Sequence, residues 1–200
     1  MKARSVGIKQ LIGFIFILVS SILVCLAVSS TRAYGYELND YKINNDMWYV
    51  TSSVFADETR VGFRDRMRAW NVYLPEGKRV CFNSATHSLS NYPSKDNHNY
   101  IYKDPYADES NLGENMCWYY PVLGILTESD ININSNQPWD NGAVSGRYDV
   151  QSVMLHELGH TIGLGHSQRS DAVMYAYMNS GITKRALTSD DIAGVNARIS

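Results

Sequence analysis

The feature of this 200-residue sequence that most constrains its fold is the stretch HELGHTIGLGH at residues 156–166. It holds three of the five histidines of the chain, with a glutamate beside the first and glycines between the second and the third. Histidines four positions apart on a helix share one face, with Cβ atoms roughly 5–6 Å apart. His156 and His160 can therefore point at one metal ion if residues 149–162 form the helix that their apolar spacing predicts.

The rest of this stretch offers a third ligand and a base. A continuous helix would carry His166 away along its axis, but Gly163 can adopt a positive φ, end the helix and let the chain turn back. Three neutral imidazoles with one open position are typical of a catalytic zinc site. Glu157 lies about 100° around the helix from His156, where it can take a proton from water without binding the metal. We predict one catalytic Zn2+ and Glu157 as the catalytic residue.

These residues resemble the zinc signature HExxHxxGxxH of the metzincin metallopeptidases, and the match continues beyond it. A serine directly after the third histidine, here Ser167, resembles the pattern of the matrixin branch. This branch includes the matrix metalloproteases. Asp171–Tyr175 resembles the Met-turn, which implies that Met174 lies beneath the zinc. LTSDDIAGV resembles the terminal helix of matrixins. The resemblance is close over residues 149–200 and elsewhere covers only the order of the elements. Surface histidines on an ordinary helix are the alternative.

The resemblance implies an α+β fold: a metzincin-like catalytic domain with a twisted mixed sheet of about five strands, three main helices and a Met-turn. It also implies a zinc endopeptidase that binds a peptide or protein substrate as an added strand at the edge of its sheet. We expect the substrate in the neighbourhood of Val122–Asn134, which leaves open which strand is the edge, and a selectivity pocket along YAYMNSG that suits a mid-sized apolar side chain. Two other functions stay open: an exported zinc-binding module without catalysis, and a zinc exopeptidase.

The order of the predicted elements agrees with one α+β domain, because strands dominate early and helices late. Aromatic and β-branched runs predict strands at residues 47–54, in RVCFNSAT, in NYIYK and within Trp118–Asn134. Helices are predicted at residues 57–72 with Asp57 as a candidate N-cap, at residues 149–162, and after the capping-box pair Thr188 and Asp191.

The N-terminal segment differs from the rest in composition. Three basic residues precede the apolar run Leu11–Val28, and no acidic residue occurs before Glu37. This pattern is typical of an export signal. We predict a signal peptide at residues 1–33 and a secreted metallopeptidase domain at residues 34–200. Because the run is about as long as the roughly 17–25 residues that span a bilayer, an uncleaved membrane anchor is the alternative.

Removal of this leader changes both the charge and the cysteine count. The chain has 18 basic and 20 acidic residues, and the loss of four basic residues leaves 14 against 20, a formal charge of −6. This charge argues against nucleic acid as a partner. Cys25 would leave with the leader, so we predict that Cys81 and Cys117 form a disulfide outside the cell. Two free buried thiols are the alternative. We expect a monomer.

Two acidic segments of the sequence each have more than one possible role. KDPYADESNLGEN contains Asp104, Asp108, Glu109 and Glu114. Their spacing fits no EF-hand, so a solvated loop is the main interpretation and Ca2+ a secondary one that the resemblance suggests. The resemblance also implies that the pair at residues 190–191 contacts the Met-turn or the N-terminus of the chain, although acids in a first helical turn favour the helix dipole in any protein.

Overall fold

The structure is a computed structural model that describes residues 34–90, 92–106, 108 and 110–200. The predicted leader, residues 1–33, lies outside the described residues. Within the described part of the chain, no helix is both long enough and apolar enough to cross a membrane.

A five-stranded mixed sheet forms one layer of the domain. Its strands are β1 (Met47–Ser52), β2 (Val80–His87), β3 (Asn99–Tyr102), β4 (Gly113–Tyr120) and β5 (Ile125–Ile133). The order across the sheet is β2-β1-β3-β5-β4; the first four strands in this order are parallel to one another, and β4 is antiparallel to β5. The stretch around Val122–Asn134, near which we expect the substrate, contains the inner strand β5. The edge strand next to it is β4.

Three helices complete the α+β fold, as predicted. They are α1 (Asp57–Asn71), α2 (Val150–Ile162) and α3 (Ser189–Ile199). Helix α2 packs against α1 and against strands β4 and β5. A small two-stranded sheet, β6 (Trp139–Asp140) and β7 (Tyr148–Asp149), leads into α2. The sheet and α2 therefore meet along β4 and β5.

The helix ends follow the capping signals in the sequence. The side chain of Asp149 accepts the backbone N–H of the residue three positions later at 3.0 Å, which makes it the N-cap of α2. Thr188 and Asp191 form a complete capping box at the start of α3. Helix α1 differs by one residue from the prediction: Ala56 is its N-cap, and Asp57 is its first helical residue. An acid at this position still stabilises the positive end of the helix.

The core lies between the inner face of the sheet and the helices. Phe63, Met67 and Trp70, the apolar face predicted for α1, are each 1% exposed or less. The indole of Trp70 donates to the carbonyl oxygen of Leu155 at 2.9 Å and so ties α1 to α2. This bond fixes α2, the helix that carries the first two histidines, against the rest of the core.

The predicted disulfide is wrong, because Cys81 and Cys117 are both free thiols. Cys81 lies in β2 and Cys117 in β4, the two edges of the sheet. At about 4.8 Å per strand, four steps separate them by roughly 19 Å, whereas the Cα atoms of a disulfide lie within about 7 Å. An even count of cysteines gave no information on where the strands place them.

Candidate metal centre

Helix α2 and the turn after it bring three imidazoles together. Gly163 ends α2 with a φ of 104°, and a Cβ at this position would collide with the carbonyl oxygen of Tyr41. Glycine meets both requirements, so the chain reverses here. His166 thereby returns to His156 and His160, and one ring nitrogen of each lies within 4.8 Å of the others.

Backbone carbonyls fix the tautomers of two imidazoles. The Nδ1 atom of His156 lies 2.8 Å from the oxygen of Val173, and that of His160 lies 2.8 Å from the oxygen of Leu164. A carbonyl only accepts, so each Nδ1 carries the proton and each Nε2 a lone pair. The two Nε2 atoms are 3.1 Å apart. Two lone pairs at this distance repel each other unless a cation lies between them, so the donors fit a metal ion.

Burial keeps the imidazoles in the form that binds metal. Burial lowers the pKa of His156 to about 3 and that of His160 to about 4, and neighbouring imidazoles add to the effect. The pKa of the more exposed His166 is also lowered by burial, with an opposing effect from Glu37. Three neutral imidazole nitrogens are the ligand set of a catalytic zinc ion.

The carboxylate of Glu157 is buried beside these histidines. Burial and the charge of Glu114 raise the pKa of Glu157 to about 8. A Cβ on Gly113, the first residue of β4, would lie 3.0 Å from Oε1 of Glu157 and 2.9 Å from Val153. The start of β4 therefore lies directly against the carboxylate. A group with a pKa near neutrality can both take up and release a proton at pH 7.

The histidines and Glu157 open into a cleft of about 560 Å³. Its lining includes Ser110–Asn115, residues of α2 and the segment Tyr175–Asn179. Most of the YAYMNSG stretch thus lines the cleft. Its volume lies within the range of pockets that bind organic ligands and peptide side chains.

The Met-turn packs against α2, the helix that carries His156 and His160. Met174 is 1% exposed. A Cβ on Gly159 would collide with the sulfur of Met174, so this sulfur lies against α2 between His156 and His160. The position of Met174 therefore depends on a glycine inside the helix.

Comparison with known proteins agrees with this geometry. The family model described as Matrixin matches residues 103–198. The chain belongs to the matrixin family. Metalloendoproteinase 1 of Glycine max is 42% identical over 194 residues, which cover 86% of this chain and 59% of that protein. Matrilysin of Rattus norvegicus is 31% identical over 131 residues, covering 64% and 46%.

A third relative, metalloendoproteinase 5-MMP of Arabidopsis thaliana, is 36% identical over 84 residues, which cover 38% of this matrixin and 22% of that protein. The chain spans 59% or less of the length of each of these relatives. The activity and substrates of the longer proteins therefore reach this matrixin only as proposals.

Two adjacent acids of α3 form hydrogen bonds with the segments that surround the three histidines. Asp191 accepts the backbone N–H groups of Val173 and Met174 at 3.1 and 3.0 Å. Asp190 accepts the N–H of Gly35 at 2.6 Å and the hydroxyl of Ser167 at 2.7 Å. These are the contacts with the Met-turn and the N-terminal segment that the resemblance implies. Both carboxylates therefore do more than favour the helix dipole.

Strand β4 presents an open edge beside Glu157, which sequence analysis missed. The carbonyl oxygen of Leu112 accepts the N–H of Asn134 at 3.0 Å, so the backbone of Leu112 points toward the segment that follows β5. Alternation along an antiparallel strand then directs the N–H and C=O groups of Gly113 and Asn115 to the open edge. The amino-acid types at residues 112–115, LGEN, do not distinguish this strand from its neighbours, because the position of a strand at the edge depends on the pairing of the whole sheet.

The acidic loop has partners within the protein. Glu114 accepts the hydroxyl of Tyr92 at 3.2 Å and also that of Tyr106. Asp108 accepts the N–H of Ser110 at 2.8 Å, and Glu109 lies outside the described residues. Among the residues that the structure describes, the three histidines are the one group placed to share a metal ion. Calcium binding stays a prediction.

Proposed function

We propose that this matrixin is a secreted zinc-dependent endopeptidase that hydrolyses internal peptide bonds. The proposal is carried by one observation: three neutral imidazoles, the Glu157 carboxylate and the open edge of β4 share one cleft. His156, His160 and His166 would hold the zinc ion. When bound, zinc lowers the pKa of water and polarises the carbonyl of the bond to be cleaved.

Glu157 is the group that moves the proton. Its carboxylate takes a proton from the attacking water as a general base, and then donates that proton to the nitrogen of the leaving amine. Burial favours the protonated form of this carboxyl, so the proton is held close to the reacting atoms between the two steps. Gly113 leaves the space that the carboxylate occupies.

The open edge of β4 orients the substrate. The outward N–H and C=O groups of Gly113 and Asn115 can pair with an extended peptide, as in other cases of strand addition. The cleft is lined along the whole length of Ser110–Asn115. A peptide bound along this length passes the histidines with chain on both sides, which favours an endopeptidase over an exopeptidase.

Selectivity would come from the pocket beside the histidines. Val153, Val173 and Met178 line the cleft. These side chains support the prediction that the pocket takes a mid-sized apolar side chain of the substrate. Secretion rests on the composition of residues 1–33, and contact with a membrane is expected only if this leader is retained.

Metal analysis of the purified protein, combined with an assay on internally quenched, end-blocked peptides, tests the proposal. We expect about one zinc per chain and cleavage that 1,10-phenanthroline abolishes. Glu157→Gln should keep the zinc and lose nearly all turnover, because the amide cannot take the proton. Zinc without cleavage would favour the binding module, and cleavage confined to peptides with free ends would favour the exopeptidase.

A further inference from the structure

Asn115 links the open edge of β4 to the backbone of the proposed general base. Its Nδ2 atom donates to the carbonyl oxygen of Glu157 at 2.6 Å and to the hydroxyl of Thr161 at 2.8 Å. Both acceptors belong to α2, which also carries His156 and His160. A side chain of the edge strand is thus anchored on the helix that holds most of the site.

The Asn115 amide belongs to a closed ring of hydrogen bonds. The hydroxyl of Tyr49 donates to that of Ser129 at 2.7 Å, and Ser129 donates to Oδ1 of Asn115 at 2.7 Å. Asn115 donates to Thr161, whose hydroxyl lies 2.8 Å from that of Tyr49. Since the Tyr49 proton is already used, Thr161 donates to Tyr49 and closes the ring.

This ring fixes the orientation of the Asn115 amide. Tyr49, Ser129 and Thr161 are fully buried, so water does not compete for their hydroxyl groups. Hydrogen bonds in such surroundings are strong and costly to leave unmade. An amide at residue 115 supplies two donors on one nitrogen and an acceptor on the oxygen, a combination that a carboxylate lacks.

We infer that Asn115 is a positioning residue, which sets the spacing between the substrate edge and Glu157. Its backbone groups face the open edge where the peptide would bind, while its side chain is bonded to the backbone of Glu157. One residue therefore holds the substrate strand and the general base in register. The inference rests on the proposed function, in which β4 takes the peptide and Glu157 moves the proton.

The test compares Asn115→Ala with Ser129→Ala in the full-length zinc-loaded protein. Both changes break the ring, but Ser129→Ala keeps the two bonds from Asn115 to α2. We expect Asn115→Ala to lower kcat about 10- to 100-fold, with KM and zinc content little changed. Ser129→Ala should keep kcat within about 3-fold of the wild type. Equal kcat losses in the two variants would overturn the inference.

Asn115→Leu separates hydrogen bonding from packing. This variant keeps approximately the size of the side chain but cannot donate to Glu157 or Thr161. It should therefore resemble Asn115→Ala in kcat. A kcat close to that of the wild type would show that the side chain acts by filling space and would contradict the inference.

A structural readout keeps this test independent of activity. Crystal structures of Asn115→Ala and Ser129→Ala should show β4 displaced from α2 in the first variant only, measured between the Cα atoms of residues 115 and 157. An unchanged distance in Asn115→Ala would overturn the positioning role. A wild-type protein that binds zinc but cleaves no peptide would contradict the proposed function, and the displacement of β4 could still be measured.

Discussion

The cleft has two walls that are built in different ways. The chain reversal that shapes the histidine wall, residues 156–166, lies within this stretch, because Gly163 turns the chain and returns the third imidazole to the first two. The edge wall, Gly113–Asn115, belongs to a strand whose position depends on distant partners, among them Glu157 and Ser129. The first wall is local in sequence, and the second is assembled from across the domain.

This difference separates two requirements of the proposed reaction. The histidine wall supplies the metal ligands and the base, whereas the edge wall aligns the peptide with them. A change that displaces a histidine of the histidine wall should therefore weaken metal binding, and a change in the edge wall should spare the metal and reduce turnover. Variants on each side can break or sharpen this contrast.

The largest effect is expected from Gly163→Ala in the histidine wall. The new Cβ would collide with the carbonyl oxygen of Tyr41 at a φ of 104°, where non-glycine strain alone is roughly 1–2 kcal/mol. We expect a loss of about 3 kcal/mol or more in the free energy of unfolding, and a zinc affinity about 100-fold lower. Denaturant unfolding and zinc titration measure these two quantities.

Gly146→Ala is the matched control for this change. Gly146 also has a positive φ, 76°, but a Cβ there would meet nothing within 4 Å. The free energy of unfolding of Gly146→Ala should therefore fall only by the backbone strain, about 1 kcal/mol. Its zinc affinity should stay that of the wild type. If both variants bind zinc as tightly as the wild type, the reversal at Gly163 does not control the position of His166.

A smaller effect concerns the strand that supports the edge wall. Asp130 of β5 is buried, and burial raises its pKa to about 6, although it accepts the N–H groups of Ser94 and Tyr100. Because the folded pKa is above the unfolded value, this carboxyl stabilises the fold fully below about pH 4 and loses that contribution as the pH rises through about 6. The contribution of this carboxyl to the free energy of unfolding should fall by up to about 3 kcal/mol over this range.

Asp130→Asn should remove this part of the pH dependence, since the amide does not titrate. Denaturant unfolding between pH 4 and pH 7, approximately the range that spans both pKa values, measures the slope for each protein. Identical slopes for wild type and Asp130→Asn would contradict this prediction.

The smallest effect is expected from Gly113→Ala in the edge wall. Its Cβ would lie 3.0 Å from Oε1 of Glu157, which forces the carboxylate to shift by a few tenths of an ångström. We expect kcat to fall about 10-fold, equal to about 1.4 kcal/mol, with the zinc content unchanged. Gly142→Ala is the control, because its Cβ would approach only Asp140, at 3.8 Å. Loss of zinc in Gly113→Ala would show that the two walls are not separable.

Much of the histidine wall could be predicted from the sequence because its geometry is local. Helical spacing places His156 and His160 on one face, and a glycine three residues after the second histidine allows the reversal. The ends of α2 and α3 were also predictable, since their caps lie within three or four residues of the groups they bind. Such short-range geometry needs no knowledge of the rest of the fold.

The edge wall and the cysteines depended on the tertiary structure. Strand order decides that β4 is the edge, that Gly113 lies against Glu157, and that Cys81 and Cys117 lie at opposite edges. Strand pairing joins residues that are far apart in the chain, and a sequence of alternating residues looks alike in an inner or an edge strand. The sequence alone thus determined the cluster of three histidines and its helix, through spacing within a few turns. Only the folded sheet decided which backbone would meet the substrate.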